Sequence, residues 1–253
     1  MKVRCLLIGV TVLFIVGLLT ASSYAKLDLK TCVGIWLFDE GKGDIATDSS
    51  GNKNDGKLTG GPKWVDGKFG KALEFNGANY VNILNADSLN SDSFTISLWF
   101  KPNQLLIQGL ADKTPVGWRI FMNSPAGAIE FDALPGEIGN VTTPVTSVGK
   151  WDYIVATYDS ATKTAKTYFN GIFSQQAVGV DMLNSSPVNI QIASPENNRF
   201  NGIIDEVAFF SVALADQDIQ TLMNKGLKES INPSAVDLSG KLAATWASIK
   251  TRY

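Results

Sequence analysis

The sequence has no histidine among its 253 residues and only two cysteines, Cys5 and Cys32. The absence of histidine excludes a Ser-His-Asp triad, a Cys-His pair and every histidine-based zinc site. Because Cys5 falls in a segment that we expect to be removed, the mature chain would keep one thiol and could form no internal disulfide. Cys32 adjoins an apolar run, which favours a buried and unreactive thiol over pairing with another chain.

Residues 1–25 are typical of a secretory signal peptide. Lys2 and Arg4 precede an apolar run at residues 6–19, and small residues lead up to a cleavage point after Ala25. The apolar run is shorter than the roughly 20 residues that span a bilayer, which favours cleavage over a membrane anchor. We therefore predict a mature chain without a membrane span that is secreted or displayed at the cell surface; in a bacterium this would be the periplasm or the exterior.

Charge of either sign is sparse and evenly mixed. The chain has 22 basic and 24 acidic residues, and removal of Lys2 and Arg4 leaves 20 against 24, a net charge near −4. A weakly acidic chain without a basic run argues against nucleic acid as a partner.

What the sequence does contain is a series of short β-type runs. In "SFTISLWFKP", Phe94, Ile96, Leu98 and Phe100 face one way, and Trp99 faces the other. The run "WDYIVATYD" is apolar on both of its faces, which suits a strand in a sheet that packs against another layer. Many such strands, without alternating long helices, predict an all-β, two-sheet antiparallel sandwich or jelly roll rather than a βαβ fold.

Turn and helix signals complete this pattern. Five Asn-Gly and Asp-Gly pairs predict hairpin turns, with Asn170-Gly171 as the best case. The others are Asp55-Gly56, Asp66-Gly67, Asn76-Gly77 and Asn201-Gly202. The run "LADQDIQTLMNKG" predicts one helix that ends at Gly226 and lacks a side-chain cap at Ala215. After Gly226 we predict a linker over residues 227–253 that ends in a possible amphipathic helix, which is either a packed tail or a docking segment for a larger assembly.

Six segments occur together, in order, from Thr31 to about Gly226. They are "GIWLFDEGKGDIATDSSGNKNDG", "GGPKWVDGKFGKALEFNGANYVNI", "FTISLWFKP", "WDYIVATYD", "TYFNG" and "NGIIDEVAFFSVALADQDIQTLMNKG". Together they resemble the laminin-G-like domains of the concanavalin A-like lectin/glucanase superfamily. The resemblance implies a jelly roll over residues 26–226, an extracellular setting and a role in binding glycans or proteins. Trp151-Asp152-Tyr153 departs from the usual Trp-His-His-type start of one strand.

The first candidate site is a loop rich in oxygen ligands. Asp48, Asn52, Asn54 and Asp55 lie within eight residues, and Ca²⁺ prefers carboxylate and carbonyl oxygens. The spacing is not that of an EF-hand, because Thr59 stands where its final Glu would be. From the residues alone a plain turn is the favoured interpretation, since Asn, Asp, Ser and Gly are the ordinary turn residues.

The resemblance shifts this interpretation toward a structural calcium ion. Related jelly rolls often bind calcium through a loop after an early strand, with help from an acid near the last strand. Here that acid would be Asp205, which lies between apolar runs and therefore needs a partner. The alternative partner for Asp205 is a backbone amide or a Lys or Arg side chain. Asp39 and Glu40 are further acids nearby.

The second candidate is glycoside hydrolysis. Concanavalin-like glucanases align their acids on one strand face in a Glu-x-Asp-x-(x)-Glu motif. In "AIEFDALPGE", Glu130 and Asp132 share a face, but Leu134 and Pro135 follow, and Glu137 comes too late. We therefore predict no catalytic residues and a strand with two solvent-facing acids.

The third candidate is a ligand surface. Trp118 and Arg119, with Asn197, Asn198 and Arg199, could present stacking and hydrogen-bonding groups to a sugar, although tryptophan in a sandwich is more often a core residue.

Taken together, the sequence predicts a secreted, non-catalytic module that binds carbohydrate or an extracellular or surface protein, with one structural calcium ion. The alternatives are a glycan-cleaving enzyme of the same fold and a structural subunit of a surface assembly. Fold alone does not choose among them.

Overall fold

The structure, a computed structural model, describes residues 27–123, 125–134, 138–182, 187–193 and 199–231. The strands are β1 Cys32–Trp36, β2 Ile45–Ala46, β3 Gly56–Thr59, β4 Lys63–Asp66, β5 Lys71–Asn76, β6 Tyr80–Ile83, β7 Phe94–Pro102, β8 Gln108–Asp112, β9 Gly117–Met122, β10 Ile129–Leu134, β11 Ile138–Thr142, β12 Asp152–Asp159, β13 Thr164–Phe169, β14 Ile172–Val178, β15 Ile190–Ile192 and β16 Asn201–Phe210. The helices are α1 Asp216–Lys225 and α2 Leu227–Ile231, and short 3-10 turns cover Leu29–Thr31 and Asp87–Leu89.

The strands form two antiparallel sheets, which confirms the predicted jelly-roll sandwich. Sheet A has the order β14-β13-β12-β7-β16-β5-β4, with β1 also paired to β16. Sheet B has the order β11-β10-β9-β8-β15-β6-β3-β2. Strands that are distant in the sequence are neighbours in both sheets, so the register depends on non-local pairing.

The main core lies between the two sheets and follows the alternation in the sequence. Phe94, Ile96, Leu98 and Phe100 all point into this core from β7, as predicted. Each of these side chains is fully buried. At about 25 cal/mol per Å² of apolar surface, residues of this size each contribute about 2 kcal/mol through burial.

A second apolar layer covers the outer face of sheet A. Trp99 and Tyr153 point outward there and pack under α1 and α2, whose buried side chains include Ile219, Leu222 and Leu227. This layer explains why β12 is apolar on both faces and why the outward side chains of β7 are buried. Cys32 belongs to the same layer and is 4% exposed, and burial raises the pKa of its thiol to about 12, which fits an unreactive residue.

The predicted helix has the expected bounds. It begins after Ala215, which provides no side-chain cap, and ends at Gly226 with φ +75°. The predicted linker beyond Gly226 is wrong at its start, because α2 follows directly. The main-chain N–H of Leu227 donates to the buried Glu206 carboxylate, so the second helix is tied to β16.

The best of the predicted hairpin turns is confirmed, and another is not a turn. Asn170 and Gly171 have φ of 51° and 74° and join β13 to β14 as a two-residue turn. Asn201-Gly202 is not a turn: the pair starts β16, where Asn201 is opposite Asn76. Local turn chemistry is outweighed there by pairing with β5.

The ends of the chain lie outside the described residues. The predicted signal peptide and the predicted amphipathic helix at the end of residues 227–253 are therefore still predictions. Within the described ranges, no helix has the length and apolar character needed to cross a membrane.

Candidate functional site

The Asp48 carboxylate organises the loop that the sequence predicted as a calcium site. Its Oδ1 accepts hydrogen bonds from the N–H groups of Ile35 (2.9 Å) and Ser50 (2.8 Å). Its Oδ2 accepts from the hydroxyl of Ser50 (2.9 Å) and the N–H of Asn54 (2.9 Å). A carboxylate has about four acceptor positions, so these donors occupy all of them. Asp48 therefore does not fit an ion ligand here, and this favours the turn.

The neighbouring side chains also face protein groups. The side-chain amide of Asn54 donates to the Val33 carbonyl (2.8 Å) and to the Ser88 hydroxyl (3.0 Å). The amide of the exposed Asn52 donates to the Ser50 hydroxyl (3.0 Å). These contacts fasten the loop onto β1 and onto itself.

Asp205 lies on the other side of β1 from this loop. Trp36 pairs with Val207 of β16 on one edge of β1 and bridges Asp48 on the opposite edge. Two strand spacings amount to about 10 Å. A shared calcium ion would have to bind the two carboxylates from opposite sides of β1, whereas each already accepts hydrogen bonds from main-chain N–H groups. The arrangement does not support a clasp shared by Asp48 and Asp205.

Asp205 takes the alternative partner, a backbone amide. Its Oδ2 accepts the N–H of Phe69 (2.9 Å), in the turn between β4 and β5. Oδ1 is buried without a hydrogen-bond partner among the described residues. Burial raises the pKa of Asp205 to about 8, and the neighbouring Glu206 adds to this increase. Among the described residues, no three Asp, Glu or Cys side chains are grouped as metal ligands, and the calcium ion stays a prediction.

Trp118 is a core residue and not part of a ligand surface. Its side chain is fully buried and packs against Phe94 and Phe209, with ring centroids 5.8 and 6.1 Å away. Successive residues of β9 point to opposite faces, so the burial of Trp118 places Arg119 on the outer face of sheet B. The prediction is therefore wrong for Trp118.

A row of polar side chains crosses the outer face of sheet B. Directly opposed residues share a face of an antiparallel pair, so strand register defines the row. The polar row consists of Asp132, Arg119, Asp112, Gln191, Asn82 and Lys57, one from each of the adjacent strands β10, β9, β8, β15, β6 and β3. Their neighbours Phe131, Ile120, Ile192 and Val81 point into the core, which confirms that the row faces outward.

An ion pair lies at the β10 end of the polar row. Both Nε and one terminal nitrogen of Arg119 lie 2.6 Å from Oδ2 of Asp132. The Arg119 side chain is 33% exposed and that of Asp132 only 1%, so the guanidinium covers the carboxylate. Arg119 also lies over the ring of Phe121, at 4.5 Å from its centroid. These contacts hold the guanidinium in one orientation, with about a third of the side chain exposed.

Two acids of β10, Asp132 in the pair and Glu130 beside it, are largely withdrawn from solvent. Burial raises the pKa of Asp132 to about 6; Arg119 opposes this effect and the nearby Glu130 adds to it. Glu130 is 8% exposed and accepts a hydrogen bond from the Asn123 amide. Both acids are thus largely buried, and the prediction that they face solvent is wrong. Asp132 is engaged by Arg119. Glu137, the third acid of the near-miss motif, lies outside the described residues.

Arg199, another predicted ligand residue, does not join the row. Arg199 is exposed, pairs with Gly109 at the start of β8 and donates to the Ala78 carbonyl (3.1 Å). Asp112 lies at the opposite end of β8. Asn197 and Asn198 are outside the described residues.

Sequence reasoning missed Asp112, Gln191 and Asn82. Each is a polar residue in a short strand: Gln191 stands between Ile190 and Ile192, and Asn82 between Val81 and Ile83. That alternation was a usable signal for an outward-facing polar side chain. Their alignment with Arg119 was not readable, because it depends on pairing between distant strands.

A two-sheet jelly roll with a polar outer face defines the class as a concanavalin A-like β-sandwich. The sequence profile of the concanavalin A-like lectin/glucanases superfamily, in its laminin-G-like family, matches residues 75–220. This chain therefore belongs to that family. No curated protein matches the sequence.

Solved structures with the same fold include domain 4 of AbnA, an extracellular GH43 arabinanase from Geobacillus stearothermophilus, in complex with arabinotriose. It is 21% identical in sequence, with a TM-score of 0.63. The match covers 77% of this chain and 98% of that one. The binding domain of Paraclostridial Mosquitocidal Protein 1 is 19% identical in sequence, with a TM-score of 0.65. The match covers 78% of this chain and 52% of that one. The binding domain of botulinum neurotoxin DC, in complex with rat synaptotagmin II, is 18% identical in sequence, with a TM-score of 0.59. The match covers 78% of this chain and 52% of that one. This chain spans about half the length of those toxin domains.

Proposed function

We propose that this protein is a secreted, non-catalytic module that binds carbohydrate, or alternatively an extracellular protein, through the polar row on sheet B. The observation that carries the proposal is the oriented Arg119–Asp132 pair within that row. Donors and acceptors on a rigid sheet match the alternating hydroxyl groups of a glycan. Of the structures with this fold, one holds arabinotriose and another holds synaptotagmin II, which supports a binding role.

Binding to a glycan array, followed by calorimetric titration with arabinotriose or the best array ligand, tests the proposal. Gln191→Ala removes one hydrogen-bonding side chain from the row, and we expect about three- to tenfold weaker binding. Arg119→Ala should weaken binding by more than tenfold, because hydrogen bonds from a charged group are stronger. Lys71→Ala is the control, since Lys71 pairs with Asp66 (2.6 Å) away from the row.

Two results would contradict the proposal. Absence of binding to every glycan and to extracellular matrix proteins would reject the function. Binding that is unchanged in both Gln191→Ala and Arg119→Ala would reject the row as the ligand surface. Circular dichroism must show that Arg119→Ala is folded, since loss of a partner leaves the buried Asp132 uncompensated.

A glycan-cleaving enzyme is the second candidate, and Glu130 with Asp132 is the observation in its favour. The two acids share one strand face, and the raised pKa of Asp132 is of the kind that general acids have. The engagement of Asp132 by Arg119 counts against this role. Release of reducing sugar from a β-glucan, lost in Glu130→Gln, would establish it over the binding module.

A further inference from the structure

A second surface with ligand-binding character lies on the opposite sheet. A groove of about 700 Å³ runs along the outer face of sheet A, where residues 213–217 lead into α1. Its floor is formed by Thr157, Lys166 and Gln176, which are successive register partners on β12, β13 and β14. The volume lies within the roughly 300–1,000 Å³ of typical ligand pockets.

The side chains of the floor make no hydrogen bonds or ion pairs with the described residues. Thr157 is 3% exposed and lines the groove, yet its hydroxyl makes no hydrogen bond to any described residue. Lys166 likewise forms no ion pair, and the side chain of Gln176 no hydrogen bond, within the part of the chain that the structure describes. The Thr157 hydroxyl is therefore accessible from the groove, where it can form a hydrogen bond with a ligand or with water.

The wall of the groove is fastened to its floor. The Tyr168 hydroxyl donates to Asp216 at the start of α1 (2.8 Å). The Leu214 N–H donates to the Thr95 hydroxyl (2.9 Å), which in turn donates to the Val212 carbonyl (2.7 Å). The groove is therefore preformed, and a ligand would not need to order it.

The chemistry of the lining selects a neutral ligand. Asp159 and Asp216 contribute two carboxylates against the single ammonium group of Lys166, so an anionic polymer would be repelled. Ala213 and Leu214 offer an apolar wall opposite the hydroxyl and amide groups of the floor. A sugar ring has the matching division, with apolar C–H faces and hydroxyl edges.

We propose that the groove between the β12–β14 floor and residues 213–217 is a second binding site, which takes a short neutral oligosaccharide. It lies on the sheet opposite the polar row and uses none of its residues. The two sites can therefore be tested separately.

Chemical-shift titration of the ¹⁵N-labelled protein with arabinotriose, xylotriose and cellotriose tests the groove. We expect saturable shifts of the Thr157, Lys166 and Gln176 amides with at least one probe. Thr157→Val keeps the shape and removes the hydroxyl, and should weaken binding about three- to tenfold. Lys166→Met should weaken binding about tenfold or more.

Lys163→Met is the matched control, because Lys163 pairs with Asp181 (2.6 Å) outside the groove. Equal affinity of Lys163→Met and Lys166→Met for the probe would overturn the proposal. So would shifts confined to Arg119, Gln191 and their neighbours, although this result would support the polar row. Shifts confined to the groove would support the second site and count against the row, and no shifts with any probe would overturn the second site.

Discussion

Two adjacent acids of β16 are buried, which costs free energy when they ionise. Replacing one of them gives the most direct test of the structure. β16 pairs with β5 through residues 201–204 and with β1 through residues 207–210. Asp205 and Glu206 fall between these two partners, and Glu206 has φ +49° in a bulge. Both acids are buried, with exposures of 0% and 3%. The perturbation is Asp205→Asn, which preserves the shape and an acceptor for the Phe69 N–H but cannot ionise.

The sign of the effect follows from the direction of the pKa shifts. Burial raises the pKa of Asp205 from 3.8 to about 8 and that of Glu206 from 4.5 to about 7. A carboxyl group with a raised pKa holds its proton in the folded state after the unfolded state has lost it. The contribution of this group to stability is complete at a pH below its pKa in the unfolded state. It is lost as the pH rises through its pKa in the folded state. The relevant window is therefore about pH 4 to pH 8.

The magnitude can be worked from one proton. While only the folded state holds the Asp205 proton, the free energy of unfolding falls by about 1.4 kcal/mol per pH unit. Between pH 5 and pH 7 this amounts to about 2.7 kcal/mol, a large part of the roughly 5–15 kcal/mol of a typical domain. Glu206 adds a slope of similar size over most of this interval.

Urea unfolding at a series of pH values between 5 and 8.5 measures the effect. We expect the wild-type free energy of unfolding to fall across this range. In Asp205→Asn the slope should be smaller by about 1.4 kcal/mol per pH unit, the contribution of one proton. Asp66→Asn is the control, because the exposed Asp66 has a pKa lowered by Lys71 and titrates below the window. Equal slopes in wild type and Asp205→Asn, or a carboxyl ¹³C titration of Asp205 near pH 4, would refute the reasoning.

The remaining predictions concern the loop, a turn and the core. Asp48→Ala should lower the free energy of unfolding by about 3 kcal/mol, because it leaves several hydrogen-bond donors without an acceptor. We expect the thermal midpoint of the wild type to be equal in calcium and in chelator. A calcium-dependent rise of the midpoint that Asp48→Ala abolishes would instead establish the predicted ion. Gly171→Ala should cost about 1–2 kcal/mol by urea unfolding, because φ is +74° and the new Cβ would lie 2.9 Å from Met223 Sδ; an unchanged midpoint would contradict the turn geometry. Trp118→Ala should cost about 3–5 kcal/mol, whereas Trp118→Phe should leave ligand affinity unchanged, and a large loss of affinity there would return Trp118 to the binding surface.

Much of the fold was predictable because its signals are local. The alternation of Phe94 to Phe100 identified β7 and both of its faces, and Gly226 marked the end of α1. The burial of Cys32 followed from its place beside an apolar run. Where prediction failed, at Asn201-Gly202 and at Leu227, contacts with distant strands outweighed local chemistry.

The candidate site was predictable only in part, since its members come from separate strands. Arg119 was identified from its own segment, but its partners Asp132 and Asp112 lie across two strand pairs whose register the sequence does not reveal. The same limit affected Asp205. Its position between apolar runs showed that it needed a partner, and only the fold identified that partner as Phe69.

The two outer faces of the sandwich explain why binding is the function best supported. On sheet A the outward side chains are apolar where α1 and α2 cover them, at Trp99 and Tyr153, and become polar at Thr157 where the helix begins. On sheet B no described helix covers the outer face, and the polar row continues across six strands. Stability alone does not require an oriented guanidinium such as that of Arg119, since replacing a buried ion pair with apolar residues is often neutral or stabilising. Recognition of a polar ligand does benefit from that orientation, because the donor geometry is fixed before the ligand arrives.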